Sequence, residues 1–268
     1  MQRLTITFVL VLLCLCLWAQ DNKKNTITLV LGYHHNKSQD LIFSPLIYSG
    51  GSLGRISLGY DRITKKGRHN FVIDFDQAEV ESSAPLLTFN AGGEITRSAS
   101  SATFLNIRYG YLHGVWSNNN FDISVGGLLD TQFHLLEYQF ALNEDEGYVF
   151  THSASFQAAA RWTLSERQFV RVATSFPVLS FVARPTYAIV DNEEIQFDGS
   201  DVAFLYKRGA FEGPFGFIKI QMKLDYVRSL SPGVDFLAGY EFRYLRYSDP
   251  LAISVVKNGI NVGLNFKF

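Results

Sequence analysis

The sequence predicts an all-β fold: a transmembrane antiparallel up-and-down β-barrel of about ten strands, with eight to twelve compatible with the pattern. Three observations carry this. Apolar and polar residues alternate strictly in segment after segment, the connections between segments alternate between long and short, and the charged residues share the face opposite the aromatic ones.

Composition agrees. Hydrophobic residues make up 47% of the chain, aromatics 15% and charged residues 18%, against roughly 25% charged in an average soluble domain. The 23 Phe and 13 Tyr, set against 2 Met, suit a pleated surface. The one continuous apolar run is at the start, MQR followed by LTITFVLVLLCLCLWAQ. Arg3 gives a positive n-region, Leu4 to Leu17 an apolar h-region, and Ala19 a small residue before Gln20. Residues 1–19 therefore read as a secretory signal peptide and 20–268 as the barrel domain. A spanning helix would need about 20 apolar residues, and this run is shorter. Both cysteines, Cys14 and Cys16, lie in the leader, each after a Leu where a bacterial lipobox has a small residue. The mature chain thus has no material for a disulfide scaffold or a cysteine nucleophile. Without Arg3, 23 basic residues stand against 25 acidic ones, a net of −2, which gives no support to nucleic-acid binding.

The segments follow in order. TITLVLGYH turns Ile27, Leu29, Leu31 and Tyr33 to one face. LGRISLGY sets Ile56, Leu58 and Tyr60 against Arg55 and Ser57, and FVIDFD sets Phe71, Ile73 and Phe75 against Asp74 and Asp76. TFLNIRYGY opposes Leu105, Ile107, Tyr109 and Tyr111 to Asn106 and Arg108; FDISVG opposes Phe121, Ile123 and Val125 to Asp122 and Ser124. SASFQAAARW places Phe156 and Trp162 opposite Gln157 and Arg161, and FVRVATSF places Val170, Val172 and Phe176 opposite Arg171 and Ser175. IKIQMKLDY alternates Ile218, Ile220, Met222, Leu224 and Tyr226 with Lys219, Gln221, Lys223 and Asp225. VDFLAGYEFRY alternates Phe236, Tyr240, Phe242 and Tyr244 with Asp235, Glu241 and Arg243. GINVGLNFKF closes the chain with Ile260, Val262, Leu264, Phe266 and Phe268. Strict period two over such lengths is the strand signature.

The links between segments run about 18 residues (35–52), 8 (61–68), 21 (81–101), 6 (114–119), 7 (141–147), 4 (164–167), over 30 (181–215), 3 (231–233) and 11 (248–258), so the short ones fall on one side. Short turns on one side and longer loops on the other are what an outer-membrane barrel requires. A soluble β-sandwich could share the alternation, but its aromatic rows would need a second sheet to cover them. In a barrel they face lipid, and a strand of about ten residues tilted by about 40° covers roughly 25 Å of membrane. The lumen then receives Arg55, Arg108, Arg161, Arg171, Lys219, Lys223, Arg243 and Lys267 facing Asp74, Asp76, Asp122, Asp130, Asp225, Asp235 and Glu241. The signs nearly cancel, which predicts a salt-bridged, mostly blocked interior. Tyr60, Tyr111, Trp116, Trp162 and Tyr226 cluster near the short-turn ends, where amphipathic rings prefer the interface.

With its alternating last strand and terminal Phe268, the chain resembles a bacterial outer-membrane β-barrel protein over about residues 20–268. Its leader, ending WAQ before a polar Asn/Lys-rich start, is similar to exported proteins of Bacteroidota-like bacteria. The resemblance implies residence in the outer membrane, contact with its lipid and lipopolysaccharide, and recognition of the last strand by the barrel-assembly machinery. It implies no cofactor.

No GxxxxGK[ST], HExxH or GxSxG occurs, and no residue is assigned to a catalytic, cofactor or metal site. The residues weighed for chemistry are His34 and His35, His134 with Asp130, and His152 with Ser153 and Ser155. THSAS, 151–155, is similar to the His and Ser arrangement of outer-membrane lipid A deacylases, but lacks a His-x-Ser spacing and a following Glu. His34 and His35 point to opposite faces of a strand and cannot share a metal. Ten strands also suit a surface protease with its site at the outer rim. The expected function is a structural, binding or narrow-transport component, with an outer-membrane hydrolase as the alternative. The long segments 81–101 and 181–215 have the length of binding loops or lids.

Overall fold

The computed structural model describes residues 24–84, 87–89, 95–97, 100–140, 143–185, 206 and 209–268; the leader lies outside them, as does part of each segment 81–101 and 181–215. The strands are β1 (Asn25–Asp40), β2 (Ser44–Ile63), β3 (Arg68–Ser82), β4 (Leu87–Phe89), β5 (Ile95–Arg97), β6 (Ser100–Ser117), β7 (Phe121–Phe140), β8 (Asn143–Ser165), β9 (Gln168–Ala183), β10 (Gly209–Glu212), β11 (Phe217–Ser231), β12 (Val234–Tyr247) and β13 (Ile253–Lys267). Ten of them, all but β4, β5 and β10, form one closed antiparallel barrel. Closure joins β13 to β1 from Thr26↔Lys267 to Asp40↔Ile253. The terminal residue takes part: Asn25 N donates to Phe268 O at 3.0 Å and Phe268 N to Asn25 O at 2.9 Å. Closure leaves no free sheet edge in the lower barrel, whose backbone groups lipid could not satisfy.

The expected ten strands and their facing are present, but the strands run 14 to 23 residues, longer than the sequence pattern suggested. The segment 35–52 is not a loop; β1 and β2 continue to a turn at 41–43, and β8 likewise begins at Asn143, inside 141–147. Segment 248–258 shortens in the same way, because β13 already begins at Ile253. The stretch 178–183 completes β9. Above Ser175, β9 parts from β11, and its residues Ser180–Ala183 pair with β10 instead. A small separate hairpin, β4–β5, lies within 81–101.

The reason for the extension is a change of polarity at one height. On β3 the outward residues Phe71, Ile73 and Phe75 give way to Gln77, Glu79 and Glu81, while the inward Asp74 and Asp76 give way to Ala78 and Val80. On β12 the outward Tyr240, Phe242 and Tyr244 give way to Arg246, and the inward Glu241 and Arg243 to Leu245 and Tyr247. Below that height the barrel faces lipid outside and charge inside. Above it the same sheet is a water-facing barrel with an apolar core.

The lower zone forms a continuous apolar belt. Ile260 is 65% exposed, Leu129 60% and Ile56 51%, a row of side chains that only hydrocarbon would accept at this density. At the end carrying the termini, Tyr60, Tyr111, Trp116, Trp162 and Tyr226 all lie on the outward face. Two of these rings reach polar partners at that level. Tyr60 Oη donates to Asn25 Oδ1 and Tyr111 Oη to Lys66 O, each at 2.9 Å, the wet end that an interfacial tyrosine needs.

Candidate functional site

The lumen is the candidate site, and it is organised in layers. Inward residues of neighbouring strands meet because an antiparallel register carries the same face around the ring. At the terminal end, Arg68 donates to Asp61 (2.8 Å), Arg171 to Asp225 (2.7 Å) and Lys267 to Asp235 (2.6 Å). A cavity of about 460 Å³ opens there, with a second of about 100 Å³ deeper in.

The middle layer is a buried charge network. Asp74 accepts from Arg55 (2.9 Å), Arg108 (2.5 Å) and Arg243 (2.8 Å), and Glu241 accepts from Arg55 (2.5 Å) and from Arg243 Nε. Beside it Lys219 Nζ is held by both Asp130 oxygens, at 2.9 and 2.8 Å, and Gln221 donates to the same carboxylate at 2.9 Å. Such fork-to-carboxylate contacts satisfy the charges that burial would otherwise penalise. One layer further out, His34 Nε2 accepts from Arg55 at 2.5 Å and its Nδ1 faces Asp76 at 3.5 Å. Lys257 pairs with Asp76 while sitting 4.0 Å over the Phe104 ring. Gly259 stands opposite because a Cβ there would come within 2.0 Å of the His34 ring.

An apolar cap closes the outer end. Phe43, from the β1–β2 turn, stacks on Tyr138 at 4.9 Å, and Tyr48 meets Tyr138 edge-on at 5.2 Å. Val80, Leu136, Val182, Phe217, Leu245 and Ile253 fill the rest, all nearly fully buried. Gly147 is required beneath these rings, since a Cβ would lie 2.6 Å from both Phe43 and Tyr138. One buried ion pair tops the cap: Arg184 donates to Asp40 Oδ1 at 2.5 Å and to Leu251 O at 2.6 Å.

Burial holds the Asp40 carboxyl above its ordinary 3.8, outweighing the pull of Arg184, and burial lowers the Arg184 guanidinium in turn. Folding therefore favours protonated Asp40. Its contribution to stability is full below 3.8 and is lost as pH rises through the higher value of the folded protein. Asp40→Asn is expected to flatten the pH dependence of unfolding in that window, measured by denaturant titration in detergent at a series of pH values.

The residues weighed for catalysis do not converge. His134 lies inward but stacks on Phe104 at 4.1 Å, and Asp130 is occupied by Lys219 and Gln221. His152 points outward, bonding Thr131 Oγ1 (2.8 Å) and Tyr206 Oη (2.5 Å). Ser153 points inward to Ser180 Oγ at 2.9 Å, and Ser155 shares that inward face. His152 and the two serines are thus on opposite sides of β8. His34 and His35 likewise diverge, inward and outward. Among the described residues no cluster of three His, Cys, Asp or Glu side chains could hold a metal ion. The charges expected in the lumen are there, joined by Asp61, Arg68 and Lys257, which the sequence pattern did not single out.

A closed ten-stranded barrel with a lipid-facing belt, interfacial aromatics and a charge-filled lumen defines an outer-membrane β-barrel protein. Among solved structures, the chain is similar to the outer membrane protease OmpT from Escherichia coli, with TM-score 0.59 and 6% identity, covering 94% of this chain and 99% of that one. That likeness concerns the fold alone. The translocator domain of the autotransporter NalP from Neisseria meningitidis follows at TM-score 0.44 and 8% identity, over 93% and 90% of the two chains. No protein-family model and no curated protein matches the sequence.

Proposed function

We propose that the protein is a non-enzymatic outer-membrane component with a structural or binding role, whose lumen admits at most a narrow water path. The observation that carries this is the stacking of a salt-bridged layer, from Asp74 to Glu241, beneath an aromatic cap of Phe43, Tyr48 and Tyr138. An open pore would need a continuous wet path, and both layers oppose one. The hydrolase alternative lacks support from geometry, because His134, His152, Ser153 and Ser155 do not face one another. On this reading the leader 1–19 exports the chain, in keeping with its likeness to Bacteroidota-like leaders. The belt meets outer-membrane lipid and lipopolysaccharide, and the assembly machinery engages β13 through Phe268. Sugar-permeability measurements on proteoliposomes test the proposal: vesicles with the refolded protein should swell no faster than empty ones in arabinose. Swelling at porin-like rates would remove it.

A further inference from the structure

The mouth of the barrel at the end where β1 begins and β13 ends holds more positive charge than its own carboxylates engage. Its cavity of about 460 Å³ is lined by Arg68, Arg161 and Arg171 with Asp122, Leu112 and Trp116, a volume in the range of small-molecule sites, about 300–1,000 Å³. Arg161 and Arg171 are direct cross-strand partners on the inward face, where like charges meet, and Arg161 has Asp122 as its partner on the other side. Arg171 is engaged by Asp225. Among the described residues Arg68 commits only its Nε, to Asp61. Arg161 lies 4.1 Å over the Phe169 ring and forms no ion pair among the described residues. Guanidinium forks that line a water-open cavity and keep unused donors match the planar oxygens of phosphate or carboxylate. An oxyanion there would also relieve the Arg161–Arg171 repulsion.

We propose that this mouth is a binding site for a phosphate- or carboxylate-bearing small molecule, held by Arg161 with Arg68 and Arg171 beside it. The short turns 64–67, 118–120 and 166–167 surround this end, which makes it the periplasmic one. The anion therefore comes from the periplasm or from a phospholipid headgroup of the inner leaflet. The proposal rests on the reading of the barrel as a binding component, but its test does not use permeability. A protein that leaks sugars yet binds phosphate would sink only the earlier reading.

The refolded protein in non-ionic detergent is titrated with sodium phosphate against sodium chloride at constant ionic strength, following Tm. Wild type should show a saturable rise. Arg161→Gln should lose that rise while keeping an anion-free Tm close to wild type, because the repulsion from Arg171 that is removed offsets the lost attraction to Asp122. A purely structural arginine would instead lower it. If Arg161→Gln does not refold, Arg161→Lys, which keeps the charge but not the fork, should refold and show a diminished rise. In a second arm, nanodiscs of phosphatidylcholine with and without phosphatidylglycerol are compared. A rise found only there, and lost in the variant, assigns the site to a headgroup. No saturable rise in either arm, or an equal rise in wild type and the Arg161 variant, overturns the proposal.

Discussion

Asp74→Ala is expected to destabilise the barrel by about 3–5 kcal/mol, the cost typical of removing one member of a buried ion network. Three guanidinium groups, of Arg55, Arg108 and Arg243, converge on this one carboxylate. Without it, Glu241 alone would face three buried cations, and Arg108 would keep only a contact at 4.0 Å. The measurement is denaturant unfolding in detergent, read with the heat-modifiable mobility of the folded barrel. Asp74→Asn should fall between the two, since the amide keeps an acceptor but not the charge. Wild-type stability in Asp74→Ala would mean that the network does not hold the lumen together.

The second large effect is expected at the cap. Tyr138→Ala should lose about 3–5 kcal/mol, as large-to-small changes of buried aromatics do when the cavity cannot collapse. Tyr138 is 1% exposed and packs between Phe43 and Tyr48. β7 is paired with β8 along this whole stretch, so the surroundings have little freedom to fill the gap. Tyr138→Phe keeps both ring contacts and loses only the hydroxyl's contact with Asp40, so it should cost about 1 kcal/mol in the same unfolding experiment. A small effect of Tyr138→Ala would mean that the cap is loosely packed and the outer end of the barrel is open.

The lower barrel was legible in the sequence because its pattern keeps one phase. From Ile27 to Tyr33 and from Ile260 to Phe266 every second residue is apolar and meets lipid, so the facing and the β1–β13 pairing could be read directly. The upper barrel was hidden because the phase inverts without a break in the strand. In FVIDFDQAEV the apolar residues move from odd to even positions after Phe75, and alternation read on a fixed face ends there. Segment 35–52 looked like a loop because upper β1 is polar on both faces, with Asn36, Ser38 and Asp40 inward and His35, Lys37 and Gln39 outward. The lumen charges below the inversion were found, while Lys257 was missed because it lies in a stretch read as a link. His134 and His152 are both in strands, as expected, yet the facing of their two strands separates them. His134 takes an even inward position on β7, and His152 an even outward one on β8. Which carboxylate pairs with which arginine depends on distances across the lumen, as in Asp74 with Arg243, 169 residues apart. No local pattern encodes that.

The closed lumen is the claim on which the functional reading depends, and single-channel recording tests it most directly. Refolded wild-type protein inserted into planar bilayers at neutral pH should leave the current at baseline, apart from brief, small flickers. Large, stable, stepwise conductance from the wild-type barrel would contradict the account.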